Sequence, residues 1–176
     1  PRALLCRITR KVTQIMEHPI LKKQFEIRVK VDTPIVVGQD GKAGRRQLIE
    51  ITSGVLTGCE GGDFEGEKGT VFPGGVDSQV IRPDGKCELS ARYGVKMEGG
   101  RLDGASFYIE NNGIRTVPSA YRSEVLAGKF VDPSLYYFCT VPQFEIYDDR
   151  LERLGEKIYI CKAERLPDTV ILGYFS

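Results

Sequence analysis

The feature of this sequence that most restricts its fold is the alternation of apolar and polar residues between closely spaced turns. Gly, Asn and Asp, which tolerate positive φ angles, are concentrated in these turns. The turns lie at residues 39–41, 83–85, 98–100, 103–104 and 111–113. Between them every second residue is apolar, as in Phe25, Ile27, Val29 and Val31. This period of two is typical of half-buried antiparallel strands.

Further strands follow the same pattern. Apolar residues alternate with polar ones from Ile49 to Val55 and from Cys87 to Val95. The Pro83-Asp84-Gly85 turn between residues 79–82 and 86–97 predicts a hairpin. Residues 135–141, 157–162 and 169–175 are apolar on both faces. We expect one face of these late strands in a barrel interior and the other under a helix, a loop or a second subunit.

Few segments have a helical pattern: residues 119–126, residues 148–154 and, more weakly, residues 7–18. We therefore predict one all-β domain over residues 1–176, a compact antiparallel β-barrel of about eight to ten strands with one or two short helices. Residues 1–22 form an N-terminal extension in this prediction. The residues expected to be mostly buried are Phe25, Ile27, Val29, Ile49, Ile51, Leu89, Ala91, Ile158, Ile160, Val170 and Leu172.

Composition excludes several classes of function. Lys and Arg number 25 and Asp and Glu 24, a net charge of +1, which does not favour nucleic-acid binding. No apolar run is long enough to span a membrane, and we expect a cytoplasmic protein. The five cysteines form no CxxC pair and the single histidine is His18, so we predict no metal site and no cofactor.

A glycine-rich acidic loop occupies residues 58–69. It lacks the Gly-Lys-Ser/Thr ending of a phosphate-binding loop, and its carboxylates would repel a phosphate. We expect a mobile, solvated loop, with a low-affinity divalent cation site as the alternative.

The bend Pro73-Gly74-Gly75 precedes the most informative polar pair. Asp77 and Gln79 lie two residues apart, so they share one face of a strand. If that face looks into a barrel, burial raises the pKa of the Asp77 carboxyl and suits it to general acid/base catalysis. The alternative is structural: Asp77 accepts backbone N–H groups at the bend.

Other polar and aromatic residues complete the candidate site. We predict that Arg92 and Arg115 join Asp77 as catalytic groups, by stabilising an oxyanion. The predicted substrate-binding residues are Gln79, Asn112, Arg46, Tyr93 and Tyr137.

Three segments resemble one protein family, known as domain of unknown function 3237. The first is Arg45-Arg46 followed by residues 49–58; the second runs from Gly69 through the bend and hairpin to Tyr93. The third is Asn111-Asn112-Gly113-Ile114-Arg115 with the residues 137–138 and 142–145 after it. Motif order and spacing agree over nearly the whole chain, from about Phe25 to Tyr174.

The resemblance implies a compact antiparallel β-barrel with an interior cavity, and it implies no particular reaction. The positions that match the family's polar motif are Asp77, Gln79, Arg92, Asn112 and Arg115. The family usually carries Trp where this sequence has Ser78, so we expect a larger pocket here.

Several functions remain open on this basis. The first is a cofactor-independent isomerase, cyclase or lyase that acts by proton transfer on a hydrophobic small molecule, such as a specialised metabolite, inside the barrel. The second is a noncatalytic ligand-binding barrel with an apolar lumen, in which Asp77 and Arg92 only pair with each other. The third is a structural or interaction protein. A homo-oligomer is expected because some aromatic residues need cover: Tyr136, Phe138, Tyr159 and Phe175.

Overall fold

The computed structural model describes residues 19–176, and most of the regular structure in this range is β-strand. The strands are β1 (Lys23–Val31), β2 (Ile35–Gly41), β3 (Gly44–Gly58), β4 (Lys68–Val71), β5 (Gly75–Ile81), β6 (Lys86–Met97), β7 (Ser106–Thr116), β8 (Tyr137–Ile146), β9 (Ile160–Arg165) and β10 (Thr169–Phe175). The chain between β7 and β8 forms a short helix, α1 (Arg122–Leu126). No helix in the described range is long and apolar enough to cross a membrane.

The strands close into a barrel because β1 pairs antiparallel with both β10 and β3. From β10 the ring continues through β9, β8, β7 and β6. β4 and β5 together fill the place between β6 and β3, and β2 is an additional strand on β3. The predicted antiparallel barrel is confirmed, as is the hairpin, in which Ile81 pairs with Cys87.

The predicted helices are mostly 3-10 turns. Residues 119–126 form a turn at Ser119–Tyr121 followed by α1, and residues 148–154 form a turn at Asp149–Leu154. The candidate helix at residues 7–18 lies outside the described residues, as do Cys6 and His18.

The bend between β4 and β5 determines which residues of β5 face inward. Gly74 has a φ of 93°, and a Cβ on Gly75 would lie only 2.7 Å from Cβ of Tyr93. A side chain at Gly75 would therefore collide with β6. The predicted close backbone approach is thus present, and it is followed by Asp77 and Gln79 with their side chains toward the barrel interior.

The period-two pattern gives the inward residues correctly in β1 and β6 but fails in two other places. In β3 a β-bulge opposite Lys30 and Val31 shifts the phase, so Leu56 is buried and Val55 is 54% exposed. In the segment before and into β9, Ile158 and Ile160 are exposed. The phase is inverted there because Tyr159 and Cys161 fill the interior.

The aromatic residues that motivated an oligomer are covered within one chain. Tyr136, Phe138 and Tyr159 are all buried, and Phe175 is half-buried. These residues therefore require no second subunit, and the oligomer stays a prediction.

One end of the barrel, here named the closed end, is filled by aromatic rings. They belong to Phe25, Phe64, Phe107, Phe144, Tyr159 and Tyr174. The acidic loop at residues 58–69 covers this end, because Phe64 and Glu67 within it are buried. Glu67 accepts a hydrogen bond from Nε of Arg101 at 2.8 Å. The expectation of a solvated loop is thus wrong for its centre, which is packed against the barrel.

Candidate functional site

The opposite end of the barrel, here named the open end, contains a cavity of about 490 Å³. Its polar lining includes three arginines, two glutamines, a threonine and two aspartates: Arg45, Arg115, Arg165, Gln47, Gln79, Thr33, Asp32 and Asp168. Such a volume lies within the range of small-molecule sites. The cavity is in contact with a deeper pocket in the barrel interior, because both are lined by Gln79, Arg115 and Arg165.

The deeper pocket combines apolar walls with a few polar groups. Asp77, Tyr93, Asn111 and Thr140 supply polar atoms. The apolar lining includes Val29, Ile51, Leu89, Phe138, Val170 and Leu172. Such walls resemble those of a ligand site, but the volume of this pocket is only about 30 Å³, far below the usual range for a small molecule.

A chain of side-chain hydrogen bonds fixes the position of the Asp77 carboxyl. Nε2 of Gln47 donates to Oε1 of Gln79 at 2.8 Å, and Nε2 of Gln79 donates to Oδ2 of Asp77 at 2.6 Å. Both glutamines are buried. Because the amide of Gln79 is held by Gln47, it presents its N–H group to Asp77, and Oδ2 is the accepting oxygen.

The charge state of Asp77 depends on opposing effects. Burial raises the pKa of the carboxyl above its ordinary value, while the hydrogen bond from Gln79 and the charges of Arg115 and Arg165 lower it. Burial is the largest effect, so the pKa is raised. Burial and the nearby Arg115 also lower the pKa of Arg165.

Several buried polar atoms at this end lack a hydrogen-bond partner within residues 19–176. They are Nε of Arg45, Oδ1 of Asp77, Oδ1 of Asn111, Nε of Arg115 and Oγ1 of Thr140. Buried polar atoms in folded proteins are usually paired, so a cluster of unpaired ones calls for an explanation. All five atoms belong to residues that line the cavity or the deeper pocket.

The buried thiols and two buried tyrosine hydroxyls of the interior are held neutral. Burial raises the pKa of the Cys87 thiol to about 11 and that of Cys161 to about 12, so neither is a thiolate at neutral pH. The hydroxyls of Tyr93 and Tyr174 are 2.8 Å apart, and burial raises the pKa of both. Among these groups, Asp77 is the one whose carboxyl can exchange a proton without forming a thiolate or a phenolate.

Four of the predicted site residues come together at the open end. Asp77, Gln79, Tyr93 and Arg115 all line the deeper pocket. The guanidinium of Arg115 also lies over the ring of Phe138, 5.6 Å from its centroid.

The other four predicted residues lie on the outer face. Arg92 and Asn112 both donate to the Glu110 carboxylate, at 2.9 and 3.2 Å. Arg46 donates to Oγ of Ser78 at 3.0 Å, and Tyr137 is 56% exposed with Lys162 over its ring.

These outward positions follow from the two-residue period of a strand, because each of the four is adjacent to a residue that faces inward. Arg92 pairs with Glu110 and does not reach Asp77, so the expected Asp77–Arg92 pair is absent. Ser78 also lies on the outer face, so its small size does not widen the cavity.

Five inward polar residues were not singled out from the sequence: Arg45, Gln47, Asn111, Thr140 and Arg165. A signal existed for Asn111, which is an even number of residues from Arg115 and so shares its face. The same rule selects Gln47 once Ile49 is assigned to the interior. Arg165 ends a short strand and carries no local motif.

The described residues offer no obvious place for a metal ion. Within residues 19–176 no three His, Cys, Asp or Glu side chains are close enough to share one. The acidic loop uses its carboxylates in ion pairs instead, such as Glu67 with Arg101 and Asp63 with Lys157.

Comparison with known proteins places this architecture in a family. The family model described as "Protein of unknown function (DUF3237)" matches residues 19–176. A UPF0311 protein of Clostridium acetobutylicum is 51% identical over 152 residues, which are 86% of this chain and 90% of that protein.

Solved structures agree with this match. A protein of unknown function from Clostridium acetobutylicum superposes with a TM-score of 0.78 at 47% identity, over 91% of this chain and 97% of that one. One from Rhodopseudomonas palustris gives 0.80 at 31%, over 92% and 98%. An enzyme from Penicillium herquei gives 0.60 at 14%, over 91% and 99%, and so shares the fold. The chain belongs to the DUF3237 family.

Proposed function

We propose that this protein is a cofactor-independent acid/base enzyme that moves a proton on a small molecule held in the open end of the barrel. The observation that carries the proposal is the half-buried Asp77, whose carboxyl lies in the deeper pocket next to the cavity. One oxygen accepts from Gln79 and the other has no partner within residues 19–176. A desolvated carboxyl with a raised pKa can accept and return a proton at moderate pH.

The two oxygens of Asp77 have different roles in this proposal. Oδ2 accepts from Gln79 and serves to orient the carboxyl. Oδ1, which has no partner within residues 19–176, is the atom that accepts the proton. Gln47 acts through Gln79 and is a positioning residue.

Arg115 is the group that stabilises negative charge on the substrate. Its side chain is 6% exposed, lines both the cavity and the deeper pocket, and has an unpaired Nε. A fixed cation in a site shielded from water stabilises an oxyanion more strongly than it would in solvent.

The reaction balances without a further reagent. Oδ1 of Asp77 removes a proton from a C–H or O–H bond, and the electron pair moves onto a substrate oxygen that faces Arg115. The same carboxyl then returns the proton to a different atom. In an isomerisation the proton returns to another carbon of the substrate. In a ring closure the deprotonated oxygen adds to a conjugated double bond and the proton goes to carbon. In an elimination the proton goes to the leaving oxygen as its bond to carbon breaks. The Penicillium herquei enzyme supports the proposal to the extent that a barrel of this fold can belong to an enzyme.

The experiment that tests the proposal measures proton exchange on carbon. Wild-type protein is incubated in D₂O with the small-molecule extract of the organism that produces it, and the mixture is analysed by mass spectrometry. We expect at least one compound to gain carbon-bound deuterium or to convert to an isomer. Asp77→Asn keeps the size of the side chain but cannot exchange the proton, and should lower that rate by about 10²–10⁴-fold.

Asp84→Asn is the matched control. It makes the same change in the exposed hairpin turn, where Asp84 accepts from the backbone N–H of Lys86. It should leave the rate unchanged. If the wild type retains a compound but neither labels nor converts any, the protein is a binding barrel. A folded Asp77→Asn variant that reacts at the wild-type rate would remove Asp77 from the mechanism.

A further inference from the structure

Within residues 19–176 the arginines that line the cavity differ in pairing from most of the others. Six arginines outside the cavity form ion pairs with carboxylates: Arg28, Arg82, Arg92, Arg101, Arg150 and Arg153. Arg46 and Arg122 donate to Ser78 and to the backbone of Val117 instead. The three arginines that line the cavity, Arg45, Arg115 and Arg165, form no ion pair within residues 19–176. Desolvated cations need a counter-charge more than exposed ones do.

The carboxylates of the cavity do not supply this counter-charge. Asp168, at the rim, pairs with Nζ of Lys30 at 2.8 Å, and Asp32 is exposed and accepts from the backbone N–H of Thr33. Asp77 does not line this cavity, and its carboxyl accepts a hydrogen bond from Gln79 and forms no ion pair with an arginine of residues 19–176. Arginine cannot escape the cost by losing its proton. The cavity therefore holds an excess of positive charge.

Part of the cavity wall is apolar. Val31 and Ile49 of the barrel and Val125 and Leu126 of α1 line the same space as the three arginines. A bare inorganic anion would leave this apolar surface in contact with water. A ligand that covers it needs an apolar body in addition to its negative charge.

We propose that the cavity binds a small organic acid, whose carboxylate pairs with the guanidinium groups of Arg45, Arg115 and Arg165 and whose apolar body packs against α1. This inference rests on the proposed function, since it names the substrate class for the same site. A guanidinium presents parallel N–H donors that match the two oxygens of a carboxylate. None of these three guanidinium groups forms an ion pair within residues 19–176, so such donors are available to a ligand.

The positions of these groups determine the orientation of the bound acid. Arg45 lines only the outer cavity and Asp77 only the deeper pocket, whereas Arg115 and Arg165 line both. A carboxylate held by Arg45 leaves the rest of the molecule to extend toward Asp77. The proton that Asp77 removes then lies at some distance from the carboxylate of the substrate.

The test measures binding, which does not depend on turnover. Calorimetric titration compares acids from acetate to 2-naphthoate with the amide of each acid, and includes inorganic phosphate as a separate probe. We expect the best acid to bind roughly 10- to 100-fold more tightly than its amide, because hydrogen bonds to charged groups contribute that much. Phosphate should bind more weakly than that acid.

Two neighbouring arginines provide a matched pair of variants. Arg45→Gln removes one of the cavity cations from a half-buried position, and should weaken binding of the best acid by roughly 10-fold or more. Arg46→Gln makes the same change on the outer face of the same strand and should leave binding unchanged.

Each outcome decides the inference. It is overturned if no acid binds, if acids and amides bind equally, if phosphate binds best, or if the two variants bind the acid alike. Selective binding of acids without any labelled or converted compound in D₂O would contradict the proposed enzyme and leave the ligand class supported. Labelling together with equal binding of acids and amides would contradict only the ligand class.

Discussion

The closed end and the open end of this barrel are built from different side chains. At the closed end aromatic rings pack in direct contact, as with Phe25, whose ring stacks on Tyr174 at 4.6 Å and meets Phe64 edge-on at 5.1 Å. At the open end a cavity of about 490 Å³ is surrounded by arginines and amides. One barrel thus carries a tightly packed half and a half that contains five of the seven unpaired buried polar side-chain atoms within residues 19–176.

This difference indicates where stability and function reside. Dense aromatic packing stabilises the fold through burial and dispersion. Unpaired buried polar atoms and unpaired cations lower the free energy of unfolding, and proteins commonly retain such destabilising groups at functional sites. Changes at the closed end should therefore weaken the fold, whereas some changes at the open end should strengthen it.

The largest effect is expected at the closed end, for Phe25→Ala. Phe25 is fully buried among four other aromatic rings, so its removal loses burial and leaves a cavity. The free energy of unfolding should fall by about 3–5 kcal/mol, as measured by urea denaturation. Phe130→Ala, at a position that is 57% exposed, should cost less than about 1 kcal/mol. Similar losses for the two variants would mean that the closed end does not hold the fold together.

A smaller loss of stability is expected for Tyr136→Phe, on the inner face near the open end, than for Phe25→Ala. The hydroxyl of Tyr136 accepts the backbone N–H of Arg165 at 2.9 Å, so Tyr136→Phe leaves that group unpaired. The free energy of unfolding should fall by about 1–3 kcal/mol. The adjacent Tyr137→Phe changes an exposed side chain and should stay within about 0.5 kcal/mol of the wild type. Chemical denaturation of both variants tests the assignment of the two faces, which equal losses would contradict.

The smallest effect is expected for Asp77→Asn, and it is an increase in the free energy of unfolding. The pKa of Asp77 is higher in the folded protein than its ordinary value of 3.8. The stability linked to its protonation is therefore fully present below pH 3.8 and is lost as the pH rises through the folded-state pKa. Asp77→Asn has no carboxyl to ionise, so this loss of stability with rising pH does not occur. The variant should have a free energy of unfolding at pH 7 that is higher by about 0.5–2 kcal/mol.

The pH dependence separates this explanation from a general effect of asparagine. Thermal unfolding of wild type and Asp77→Asn should differ at pH 7 and converge below pH 3.8, where the carboxyl is neutral in both the folded and the unfolded chain. A variant that is less stable than the wild type at pH 7 would show that the Asp77 carboxylate supports the bend, as the structural alternative requires.

The sequence is sufficient to predict most of the barrel but less of the site. Period-two alternation determines the inner face wherever a strand is regular, as in β1 and β6. It fails at the β3 bulge, because one extra residue exchanges the two faces, and this exposes Val55. Near β9 both faces are apolar, so alternation cannot distinguish the buried Tyr159 from the exposed Ile158.

The strand period also determines which residues of the candidate site can be predicted from the sequence. Asp77 and Gln79 were predictable because a glycine bend precedes a strand and the two residues share its face. Arg46 and Asn112 were selected by motif, although Arg45 and Asn111 are the residues that face inward. Arg165 reaches the cavity only because β9 pairs with β10 in the closed barrel, a long-range arrangement that no local pattern contains.

The central claim is that the barrel buries Asp77 beside a cavity as an ionisable group, and a direct measurement is the titration of its side-chain carboxyl carbon by NMR. Asp77→Asn identifies the resonance. We expect a midpoint above 3.8, and a further rise in Arg115→Gln, because the charge of Arg115 lowers the pKa of Asp77. A midpoint at or below 3.8 in the wild type would contradict the account, because Asp77 would then be a permanently ionised partner of the surrounding arginines.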